Sequence, residues 1–222
     1  MWSPASPGDT VVAGPHSQGE HVDPAPTRYR NLLSVTPLGK AIPYAGSDEA
    51  RPDGGVNHGF TDIKGHPERL DEVPESRDDP SLAHLMRTIG APDTGVFSIA
   101  SMSEVESSDR GVQRSGYLEV AFNSRQRVES AADYFDLFLR FERLLAARAF
   151  AHAVRFEWEL CPAHFSAGDI GGYSVAIRIR TSCEADHCRA SESWQAAMAV
   201  LAELFGAVPE ERSDPMYGPR AS

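Results

Sequence analysis

The sequence predicts an α+β fold. The expected domain has two layers, with one antiparallel β-sheet carrying two main helices on one face in the order ββαββα, preceded by a disordered N-terminal region. Three observations lead there. Proline and glycine crowd the first third of the chain, four later stretches alternate apolar and polar residues, and two stretches repeat apolar residues at helical spacing.

Residues 1–80 hold 11 of the 16 prolines and 9 of the 18 glycines, while nine of the ten phenylalanines lie beyond them. A segment so poor in large apolar residues cannot bury enough surface to offset its ordering entropy. The expected organisation is therefore a disordered, acidic tail over 1–80, an α+β domain over 81–208 and a flexible tail over 209–222. Within the first tail, VDPAPTRYRNLLSVTPLGKAIPY (22–44) is more apolar than its surroundings and reads as a linker or a linear motif that orders on a partner.

SLAHLMRTIG (81–90) reads as a short helix capped by Ser81 and stopped by Gly90. GVFSIAS (95–101) reads as a strand and 102–115 as a polar turn region. In YLEVAF (117–122), Leu118, Val120 and Phe122 share one face and Tyr117, Glu119 and Ala121 the other. A helix is expected from Ser124 to about 151, with Glu129, Asp133, Asp136, Arg140 and Arg143 as its polar stripe. VRFEWEL (154–160) and YSVAIRIRT (173–181) alternate again, joined by a loop containing Gly168, Gly171 and Gly172, and read as an antiparallel hairpin. Trp194, Ala197, Met198, Leu201, Leu204 and Phe205 mark the last helix, over 191–205, with Ser191 as its cap and Gly206 after its end.

Charge narrows the partners. The net charge is −11 with both halves acidic, which argues against nucleic acid and anionic membranes and leaves a protein partner, a basic one included. The only lysines are Lys40 and Lys64, both in the expected tail, so the expected domain has none for a Schiff base or a phosphate-binding loop. Three cysteines, an odd number, with no visible signal peptide and no run long enough to span a membrane, suggest reduced thiols in an intracellular compartment.

Constellations for chemistry are sparse. CPAH (161–164) and CEADHC (183–188) have zinc-like residue types, but a hairpin puts Cys161 and Cys183 at opposite ends of strands some 30 Å long at ~3.3 Å per residue. His152 beside Cys183, His187 and Cys188 is the surviving grouping, and no metal or cofactor is expected. Cys161 and His164 flank one loop as a possible dyad without an orienting third group. GDIGGYSV (168–175) precedes a strand rather than a helix, the reverse of a phosphate cradle. Glu157 and Glu159 share a strand face opposite Arg178 and Arg180, which reads as a salt-bridged surface.

Three family likenesses arise over the C-terminal half. NSRQRVESAADYFDLF through DIGGYSVAIRIRT to ESW resembles rhabdovirus matrix proteins, which implies a structural role; their tails are basic, this one is acidic, and no PPxY motif is present. The order helix, RFEWEL, glycine turn, YSVAIRIRT is similar to small bacterial toxin-immunity domains, which implies an acidic inhibitor. Helix–strand–strand–helix also resembles pterin carbinolamine dehydratases, whose paired histidines before a proline are missing here, so that activity is not expected. The sequence thus favours a non-enzymatic binding or assembly protein acting through Arg155, Glu157, Glu159, Arg178 and Arg180 on the open sheet face. A small Cys/His or carboxylate enzyme is the alternative.

Overall fold

The computed structural model describes residues 28–43, 46, 59–166, 168–211 and 215–217. Two strands come first, β1 (Tyr29–Val35) and β2 (Lys40–Ile42), followed by a 3₁₀ turn at Pro67–Glu72 and the helices α1 (Pro74–Arg77) and α2 (Pro80–Gly90). A hairpin of β3 (Val96–Ser108) and β4 (Gly111–Phe122) leads to α3 (Arg125–Val128) and α4 (Ala131–Ala146). A second hairpin, β5 (Val154–Phe165) and β6 (Ile170–Thr181), precedes α5 (His187–Gly206). The result is a mixed α+β fold built on one six-stranded sheet in the order β1-β5-β6-β4-β3, with β2 also beside β5. None of the described helices is long and apolar enough to cross a membrane.

Two sequence expectations need correction. The sheet is not purely antiparallel, because β1 and β2 both run parallel to β5, with Tyr29 opposite Val154 and Lys40 opposite Ala163. The ordered fold also starts well before residue 81. Two strands, the 3₁₀ turn and α1 lie inside the span whose composition suggested a tail. The reason is edge placement. β1 is half-buried on one side only, so it alternates Tyr29, Asn31 and Leu33 with exposed Arg30, Leu32 and Ser34 and needs little apolar residue to hold its place. The disorder expected for residues 1–27 lies outside the described residues.

Other boundaries moved for local reasons. The expected turn region 102–115 forms the arms of the β3–β4 hairpin, whose bend falls at residues 109–110 before Gly111 at φ +122°. The expected loop between residues 160 and 173 shrinks as β5 and β6 extend to pair Phe165 with Ile170, leaving Gly168 and Asp169 at positive φ in the tip. The long helix splits at Ser130, whose side chain accepts a bond from Asp133 N and caps α4. Helices α2 and α5 are capped by Asp79 and Asp186 rather than by the serines that follow.

The core lies between the sheet and its helices. Trp158 of β5 meets Phe141 and Phe138 of α4 at ring-centroid distances of 5.3 and 5.7 Å. Helix α5 packs against α2 and α4 and onto β4 and β6. Its Trp194, fully buried, lies over Gly116 so closely that a Cβ there would stand 2.3 Å from the indole ring. Gly116→Ala is therefore expected to destabilise the protein by about 1–3 kcal/mol, the usual cost of overpacking. Urea unfolding followed by tryptophan fluorescence checks this, and an unchanged midpoint would show that Trp194 can move aside.

Candidate functional site

Strand alternation divides the sheet into the face that carries α4 and α5 and an opposite face. At one end the opposite face is apolar and covered. Phe97 meets Tyr217 at 4.4 Å with the rings tilted by 40°, and Phe60 and Phe165 at 6.5 and 6.1 Å. The rest is polar and open, and a hollow of about 940 Å³ spreads over it. Met102, Tyr117, Glu119, Glu157, Arg178 and Arg180 contribute to its lining, together with Gly59 and Thr61 and the start of α1 at Pro74.

Glu119 anchors the hollow. In the alternation of YLEVAF it stands on the side away from Leu118 and Val120, yet it is only 3% exposed. Three donors hold its carboxylate: Lys40 Nζ at 2.7 Å and Ser174 Oγ at 2.6 Å on Oε1, and Tyr117 OH at 2.6 Å on Oε2. A buried carboxylate needs such pairing to remain charged. Lys40 belongs to β2 at the far side of β5, so its side chain reaches across β5 and β6 to β4 and ties the N-terminal strand pair to the centre of the face.

Around this centre the five residues expected from the sequence all lie on the same face. Arg178 Nη1 pairs with Glu159 Oε2 at 3.0 Å, across the β5–β6 ladder. Arg155 pairs with Glu157 two residues along its own strand. Glu157, Arg178 and Arg180 line the hollow, while Arg155 and Glu159 lie beside it. Burial pushes the Cys161 thiol up, which leaves little thiolate at neutral pH. Neither any protein-family model, any curated protein nor any solved structure matches the chain. The functional reading therefore rests on this geometry.

The remaining candidates from the sequence do not converge. Cys161 and His164 are three apart on an extended strand and so point to opposite faces, and His164 pairs instead with Asp169 at 2.8 Å. His152 meets Glu184 at 3.1 Å rather than a thiol, and Cys183 donates to Arg110 O. Among the described residues no group of three or more His, Cys, Asp or Glu is placed to hold a metal ion. Sequence reasoning missed Lys40, Ser174 and the tight partnering of Glu119. A signal did exist, since Lys40 is one of only two lysines in the chain.

Proposed function

We propose that the chain is a non-enzymatic protein-binding or assembly module, and that its partner docks on the open face of the sheet. One observation carries this reading: Glu157, Arg178 and Arg180 line the same hollow of about 940 Å³ as Glu119 and Tyr117, so the charged face is concave rather than a flat solvated surface. The chemistry of the hollow favours recognition over catalysis. Glu119 is held by three donors, and the Cys161 thiol, which does not line the hollow, is buried and disfavoured as a thiolate.

The charge on the face is polarised. Glu104 and Glu106 of β3 and Glu75 of α1 sit at one side of the hollow, and the arginines of β5 and β6 at the other. A partner that presents basic groups to the β3 side fits the acidic end. Reversing Arg178→Glu and Arg180→Glu together tests the reading. The double variant is expected to fold, because exposed ion pairs contribute only ~0–1 kcal/mol. Proteins that co-purify from the native source with the wild-type chain are expected to be lost with the variant, most clearly at low salt, where screening is weakest. Equal recovery by both chains across salt concentrations would refute the proposal.

A further inference from the structure

Three arginines stand side by side on the open face. Arg30 of β1 is opposite Arg155 of β5, and Arg155 is opposite Arg180 of β6. Their directions are fixed by their neighbours. Tyr29 and Asn31 both bond Glu142 of α4 on the helix-bearing side, so Arg30 between them faces the other way. Val154 and Phe156 flank Arg155, Ile179 and Thr181 flank Arg180, and all four are buried. Neighbouring strands are ~4.8 Å apart, so the row spans roughly 10 Å.

Such a row is costly in isolation. Like charges directly opposite on adjacent strands repel, and here the repulsion is met only in part. Arg155 has Glu157, and Arg178 in the next row has Glu159, but Arg30 and Arg180 have no acidic partner among the described residues. All three side chains are exposed, in a chain whose net charge is −11. An acidic protein that gathers cations in one row, at the edge of a concave hollow, has the charge pattern of an anion-recognition surface.

We infer that the row Arg30–Arg155–Arg180 receives an acidic, extended segment of a protein partner, whose carboxylates take the guanidinium groups left unpaired in the free chain. This rests on the reading of the open face as the partner-binding surface and adds the partner's chemistry at its basic end. A long nucleic-acid backbone fits less well. The whole chain repels a polyanion, and Glu157 and Glu159 beside the row would lie against its phosphates. A short peptide can match the row without meeting them.

The test uses the full chain and fluorescein-labelled homopeptides, read by anisotropy at low and high salt. Oligoglutamate is expected to bind at low salt and weaken as salt rises. Arg155→Gln with Arg180→Gln is expected to weaken it at least about tenfold. Arg143→Gln with Arg189→Gln, which removes the same charge from α4 and α5, is expected to leave binding within about twofold of wild type. Circular dichroism of each variant confirms folding. Equal loss in both double variants, or none in the first, overturns the inference. So does an oligothymidylate probe that binds in place of oligoglutamate. Binding of oligolysine alone, abolished by Glu104→Gln with Glu157→Gln, would overturn the inference and leave the face as a binding surface. Failure of every probe would count against both.

Discussion

Replacing Asp79 by alanine is expected to lower the unfolding free energy by about 3–5 kcal/mol, the range for breaking a buried ion pair on one side. Asp79 is 2% exposed and gathers donors from four elements. Its Oδ1 caps α2 by accepting from Ser81 N and Leu82 N, both at 3.0 Å. Its Oδ2 accepts from Trp194 Nε1 at 2.7 Å, Arg114 at 2.8 Å and Ser103 Oγ at 2.6 Å. The cap alone accounts for about 1 kcal/mol. The larger part comes from Arg114, whose side chain is only 14% exposed and would be left without its carboxylate. Asp79→Ser keeps the cap and is expected to recover about that 1 kcal/mol and no more. Urea titrations of both variants measure this, and a loss below about 1 kcal/mol for alanine would show that water replaces the carboxylate freely.

Lys64→Met should cost a comparable amount. Lys64 is 2% exposed and donates to Ala91 O at 2.8 Å and to Thr94 O, with Glu210 at 3.5 Å. Removing the cation leaves Glu210, whose side chain is only 14% exposed, held by the neutral amide of Asn123 at 2.9 Å, a loss of about 3–5 kcal/mol, whereas Lys64→Met with Glu210→Gln together should recover part of it. The pH dependence carries the sign. Burial holds the Lys64 pKa below its usual 10.5, so in the window between its folded value and 10.5 the unfolded chain binds more protons. Over that window this contribution to stability rises with pH. Burial holds Glu210 above its usual 4.5, so the folded chain binds more protons between 4.5 and the raised value, and that contribution falls as pH rises. In Lys64→Met only the second effect remains. The destabilisation is therefore expected to shrink as pH falls from neutral towards 4.5. A deficit constant over that range would show that Glu210 finds another partner.

Alternation made the β5–β6 hairpin and the inner part of β4 legible, because one side of each strand must meet the helices. VRFEWEL and YSVAIRIRT therefore yielded both the core residues and the five charged residues of the open face. What composition hid were the parts held by few contacts. β1 and β2 are edge strands, and the segment around Lys64 sends only separated apolar residues, Ile63, Leu70 and Val73, into the core between polar ones, so neither carries the apolar density that marks a core in a sequence. The burial of Glu119 was illegible for a related reason. A carboxylate is buried only where partners meet it, and Lys40 and Ser174 lie 79 and 55 positions away in the chain. The arginine row, likewise, exists only once β1 is known to lie parallel to β5.

That parallel pairing also bears on the order of events during synthesis. Ser34 of β1 donates to the carbonyl of Trp158, 124 positions further along the chain. At ~5–20 residues per second the ribosome takes roughly 6–25 s to cover that distance. β1 is thus left without its neighbour until β5 follows it, with Tyr29, Leu33 and Val35 accessible in the meantime. The sheet closes around the β5–β6 hairpin, and until that hairpin is made β1 stands as an open, aggregation-prone β-segment.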